Sequence, residues 1–135
     1  MRGRKPDLPE MVDPPKSRCP SPPSWLAPHA KAEWRRAAPE LHRRNLLQKD
    51  TVATLESYCT AIAQVRECEE IMIRDGRVIE TDTGPKRHPA FSIQSSAMRE
   101  ARLLAAELGL TPQRRGKQQV DDGGAGDGWD DDLLA

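Results

Sequence analysis

The side chains best placed to do chemistry in this sequence are nine cations in three short runs. Arg2, Arg4 and Lys5 lie in the opening RGRK, Arg43, Arg44 and Lys49 surround Asn45-Leu46-Leu47, and Arg114, Arg115 and Lys117 form most of QRRGK. Clusters of this kind suit contact with phosphate, where charge and donor number matter more than exact placement. The other reactive groups do not converge. His29, His42 and His88 have no Cys or acid partner at metal-ligand spacing, so no zinc site is expected. Cys59 has no His on its helical face, G-x-S-x-G does not occur, and there is no G-x-x-x-x-G-K-[ST] phosphate cradle. Five aromatic residues are too few for a base-stacking sheet surface. The chemistry expected is binding, not catalysis, with no cofactor.

A formal net charge of zero conceals an asymmetry. Residues 118–135 hold Asp121, Asp122, Asp127, Asp130, Asp131 and Asp132 and no Lys or Arg, so the rest of the chain keeps all 21 cations against 15 acids. A basic body with an acidic end suits a protein that touches a polyanion and keeps a separate peptide for a protein partner. Trp129, Leu133 and Leu134 lie in that acidic end with no core in reach, the composition of a peptide that docks into a partner's groove. Three cysteines cannot all pair within one chain, so no closed disulfide framework is expected, and Cys59 and Cys68 read as core or interface thiols of a reducing cytoplasm. No run of 18 apolar residues suggests a membrane span.

Gly and Pro mark out the elements that must position these groups. Seven of twelve Pro fall in the first 23 residues and five of nine Gly at or after Gly116. Residues 1–24 are therefore expected to be a disordered Pro-rich basic arm, 25–112 the folded domain, and 113–135 a disordered tail, basic then acidic. Between the ends, the longest stretch free of Gly and Pro predicts a helix over about 49–75, stopped by Gly76 as a left-handed cap. Val52, Leu55, Cys59 and Ile62 share one stripe of it, flanked by Tyr58, Val65, Cys68 and Met72. That arc covers about half the circumference, whereas one neighbour needs about 100°. It predicts cover on two sides, from the chain itself and from a second copy.

Before it, Pro28 opens a helix over about 28–44, with Ala30, Trp34, Ala37 and Leu41 as its apolar face and Lys31, Glu33, Arg35 and Arg36 opposite; Pro39 predicts a break or kink. After it, residues 77–87 alternate like a small β hairpin, and 89–108 form a last helix with the stripe Ile93, Ala97, Ala101, Leu104 and Leu108. The fold expected is mainly α: an antiparallel helical hairpin of 49–75 and 89–108, preceded by one helix and carrying a β-like excursion at its tip.

The order of punctuating motifs resembles the phage terminase small subunit family. RGRKP at the start is followed by PPSWL, then Glu33-Trp34, ELHRRNLLQKD leading to Leu55 and Tyr58, a Gly76-x-x-Ile79 hairpin, His88-Pro89-Ala90, and AELGLTPQRR. The resemblance spans about residues 2–117. It implies a helical, non-catalytic protein that forms a homo-oligomeric ring of roughly eight to ten copies in the cytoplasm of an infected bacterium. Such a protein binds the packaging-start region of double-stranded viral DNA and hands it to the large subunit, which holds the ATPase and nuclease. On this reading Val52, Leu55, Tyr58, Cys59, Ile62, Val65, Arg66, Glu69 and Met72 face the self-interface in part, with Arg66 and Glu69 pairing across it. The nine cations contact DNA, and Trp129, Leu133 and Leu134 dock on the partner. Alternatives are a small helix-turn-helix regulator using residues 30–60, or a structural head–tail connector.

Overall fold

The structure, a computed structural model, describes residues 17–112; residues 1–16 and 113–135 lie outside the described part, and with them most of the expected arm and tail. Three helices and one hairpin follow each other in the order α1 (Pro28–Arg43), α2 (Lys49–Asp75), β1 (Val78–Thr81), β2 (Gly84–Arg87) and α3 (Pro89–Leu108). The mainly α architecture expected from the Gly and Pro pattern is the one observed.

α2 is the axis. Its start shares a cluster with Leu108 and Ala101 of α3, while Cys68 and Met72 near its end pack on Ala90. The two helices therefore run antiparallel. α1 covers another side, placing Trp34, Ala37, Ala38 and Leu41 against Leu55, Tyr58 and Cys59. Of the nine residues expected at a self-interface, Leu55, Tyr58, Cys59 and Met72 are buried inside the chain, and Val52, Ile62, Val65 and Glu69 are half-buried. Both neighbours of the wide arc belong to the same chain, so its width does not by itself require a second copy. Arg66 is exposed, and Glu69 bonds Arg77 at 2.6 Å and Gln94 at 2.7 Å instead of pairing with Arg66.

The helix ends explain why the boundaries were readable. Pro28 and Pro89 each occupy a first-turn position, where the missing N–H costs nothing. At the start of α2, Thr51 Oγ1 accepts the Gln48 N–H at 2.8 Å and donates to the Leu46 carbonyl at 2.7 Å. Gly109 adopts φ 74°, ψ 25°, and the N–H groups of Leu110 and Gly109 return to the carbonyls of Ala105 and Ala106. That is a Schellman closure. α1 ends the same way on a non-glycine: Asn45 has φ 58°, Leu46 N–H bonds Leu41 O at 2.9 Å, and Asn45 N–H bonds His42 O at 2.9 Å. Asn tolerates this left-handed geometry and a β-branched residue does not. Asn45→Val should cost about 1–2 kcal/mol in urea unfolding and Asn45→Gly should cost nothing or stabilise slightly. Equal stability of the Val and Gly variants would refute a left-handed turn.

Four local expectations are corrected. α1 runs unbroken through Pro39, whose ring lies on the exposed face with Arg35, so water can reach the carbonyl that lost its donor. Gly76 ends α2 with positive φ (89°) but ψ 154°, turning the chain out into β1 instead of closing a left-handed cap. Glu33, assigned to the solvated side of α1, is buried. Along α3 the buried positions are Ala90, Gln94, Ala97, Ala101 and Leu108, while Ile93 is exposed. Gln94 takes the core place because its amide donates to the Val65 carbonyl at 3.2 Å and to Glu69 at 2.7 Å across the α2–α3 seam.

Candidate nucleic-acid interface

Of the three basic clusters, the structure places one. Arg43 closes α1, Lys49 opens α2, and Arg44 lies in the turn between. Arg2, Arg4, Lys5, Arg114, Arg115 and Lys117 lie outside the described residues, as do Trp129, Leu133 and Leu134.

The placed cluster is not three equal cations. Glu40 accepts from both arginines, at 2.8 Å from each Nη2, and their hydrogen bonds hold its carboxyl below the usual range. Arg43 keeps a side chain 72% exposed, whereas that of Arg44 is 23% exposed and also donates to the Gly109 carbonyl at 3.1 Å. Arg44 is thus a strap joining the end of α1 to the end of α3. Arg43 and Lys49 are the cations this corner presents to solvent. Two exposed cations at a turn can hold a phosphate by charge, and carry no information about base sequence.

A second set of cations gathers at the hairpin end, where sequence spacing alone did not single it out. Arg74 pairs with Asp75 at 2.8 Å, Arg77 with Glu69 at 2.6 Å, and the Arg87 guanidinium sits 4.6 Å above the Phe91 ring. Lys86 is exposed on β2, whose register sets Lys86 opposite Ile79 and Arg87 opposite Val78. The available signal was Lys86-Arg87 directly before His88-Pro89-Ala90.

That tripeptide has a definite structural task. The His88 N–H bonds the Arg77 carbonyl at 2.8 Å; Nδ1 accepts the Ala90 N–H at 3.0 Å, which leaves Nε2–H to donate to Asp75 at 3.1 Å. Pro89 then starts α3 and Ala90 packs on Cys68 and Met72. Hydrogen bonds from Arg74 and then from His88 hold the Asp75 carboxyl down at about 2. Hairpin, α2 end and α3 start are therefore locked through one imidazole. His29, by contrast, meets Glu70 at 2.7 Å and His42 meets the Ser17 carbonyl at 2.7 Å, neither of which neighbouring sequence positions would suggest.

Among the described residues the buried charged group is the Glu33 carboxylate on α1. Arg36 donates to it through Nε at 3.0 Å and through Nη2, and the Tyr58 hydroxyl of α2 donates to it at 2.8 Å. Burial pushes the Glu33 pKa up, but these bonds and the charges of Arg36 and Arg66 outweigh it, and the net shift is downward. Burial, then the same carboxylate, pushes Tyr58 up to about 12 and the Cys59 thiol up to about 12. Cys59 is accordingly an inert core thiol.

These features define a small, mainly helical domain with cations at two exposed corners. Among the described residues, no helix is long and apolar enough to cross a membrane. The family model described as "Phage terminase, small subunit" matches residues 30–124, most of the chain, and the protein belongs to that family. No curated protein and no solved structure matches it.

Proposed function

We propose that this protein is the DNA-recognising, non-catalytic subunit of a viral packaging terminase, active in the host cytoplasm. The match to the small-subunit family over residues 30–124 carries the reading. It acts as a homo-oligomer, a ring of roughly eight to ten copies on the family's pattern, that binds the packaging-start region of double-stranded viral DNA. It passes that DNA to the large subunit and regulates the ATPase and nuclease there. Arg43 and Lys49 supply phosphate contacts from the fold, and Arg2, Arg4, Lys5, Arg114, Arg115 and Lys117 supply them from the chain ends; Arg44 is mainly a strap. Repetition around a ring raises the effective concentration of each weak patch at the DNA. Trp129, Leu133 and Leu134 form the peptide that docks on the large subunit.

Two measurements test it. DNA affinity should fall log-linearly with salt, and the Arg43→Gln/Lys49→Gln double variant should reduce the slope by about 2 for each engaged subunit that makes both contacts. Removing residues 118–135 should leave assembly and DNA binding intact and abolish stimulation of the large subunit's ATPase. Stimulation that survives the truncation would remove the docking role of Trp129, and a salt-independent affinity would remove the DNA reading.

A further inference from the structure

α3 carries opposite charge on its two flanks. Glu100 and Arg102 are two positions apart, hence about 200° around the helix. Leu104 and Ile93 share the Glu100 flank, and Met98 shares the Arg102 flank, by the same periodicity. On the acidic flank an open groove of about 410 Å³ lies between α2, α3 and Trp25, lined by apolar Trp25, Ala61 and Leu104 and by polar Glu56, Ser57, Thr60, Gln64 and Glu100. A second hollow of about 380 Å³ continues from Gln64 and Glu100 to the exposed Ile93. On the other flank and the outer face stand Met98, Arg99, Arg102 and Leu103, all exposed, with Leu103 at 61%. Glu56, Glu100 and Arg102 make no ion pair among the described residues. Arg99 reaches only the Ser96 hydroxyl, at 3.4 Å.

One flank is thus a partly apolar groove rimmed by two unpaired carboxylates, and the other side of α3 is a ridge of two arginines with Met98 and Leu103 at its edges. We infer that they are halves of one contact: the Met98–Leu103 ridge of one copy seats in the Trp25–Glu100–Leu104 groove of the next. Charge complementarity selects a second copy as occupant, since the ridge supplies the cations that the two groove carboxylates lack. Met98 and Arg102 lie about half a turn around α3 from Glu100, so that part of the ridge stands clear of the groove. The contact is therefore head-to-tail, leaving each copy with one half free for another neighbour, which generates a closed ring or an open filament. It replaces the α2 arc as the expected self-interface. The inference rests on the homo-oligomer reading above and names the surfaces that reading requires.

Charge reversal tests it, because both positions are exposed and neither reversal should disturb the fold, which circular dichroism checks. In light scattering against concentration, Glu100→Lys and Arg102→Glu should each raise the concentration at half-assembly about tenfold or more, by placing like charges together. The double variant Glu100→Lys/Arg102→Glu, with the pair swapped, should restore assembly to within about threefold of the parent, on the same pairing argument. A parent chain that stays monomeric would overturn the homo-oligomer reading itself. An assembling parent whose single variants assemble equally well would overturn the inference alone. Loss in Glu100→Lys that Arg102→Glu does not repair, but that also follows truncation after Pro112, would assign the groove to basic residues 113–117 and refute the second copy.

Discussion

Trp34→Ala should lower the midpoint of thermal unfolding by about 15–30 °C, from a loss of about 3–5 kcal/mol typical of emptying a buried aromatic site, in a domain of this size. Trp34 is among the largest fully buried side chains and lies in the cluster shared by α1 and α2. Its indole N–H also donates to the Pro20 carbonyl at 3.0 Å, fastening the segment before α1 along that helix. The two contributions separate. Trp34→Phe keeps most of the ring packing and loses the bond, so it should cost about 1–2 kcal/mol of hydrogen bond and volume. It should also expose residues 17–26 to proteolysis before the core opens. Both variants belong at one protein concentration, because any assembly adds its own stabilisation by mass action. A Trp34→Ala midpoint within a few degrees of the parent would mean the indole is not the keystone of the α1–α2 contact.

The second large effect is pH-dependent. Glu33→Gln should destabilise by about 2 kcal/mol near neutrality, the scale of hydrogen bonds to a charged group, since Arg36 loses its carboxylate partner and Tyr58 its acceptor charge. The side chain of Arg36 is largely exposed, so water absorbs part of that loss. The folded-state pKa of Glu33 is lowered, so its contribution is present above the unfolded value near 4.5 and disappears as pH falls through the folded value. The gap between parent and variant should therefore narrow on acidification. Glu40, Glu69 and Asp75 are lowered too, by their arginine, Gln94 or His88 partners, and weaken both proteins alike in acid. At the alkaline end the sign reverses. Tyr58 and Cys59 are raised, so their contributions hold below the unfolded values near 10 and 9 and are lost on the way to about 12. A gap that stays constant from pH 7 to pH 3 would show that the Glu33 charge is not what holds Tyr58.

Most of the architecture was legible because Gly, Pro and polar caps punctuate it. Pro28, Gly76, Pro89 and Gly109 bound the elements to within a residue, and the hairpin follows from alternation around Asp82-Thr83. What failed were judgements about which polar groups tertiary partners could satisfy. Glu33 and Gln94 enter the core because Tyr58, Arg36, Val65 and Glu69 bond them. Those partners sit 25 to 29 positions away, Arg36 excepted, where helical periodicity carries no signal. Ile93 is displaced outward by the same exchange. The basic turn was readable as charge, but not the division of labour inside it, since the Arg44–Gly109 bond spans 65 positions.

That bond reaches beyond stability. Gly109 is gripped by the Arg44 guanidinium, and a Cβ built on it would lie 3.9 Å from Leu46, so the two Schellman turns abut. The end of α3 consequently lies beside the α1–α2 corner that carries Arg43 and Lys49. Residues 65 positions apart along the chain are thereby neighbours on the surface, and the Arg44 strap is what holds them so.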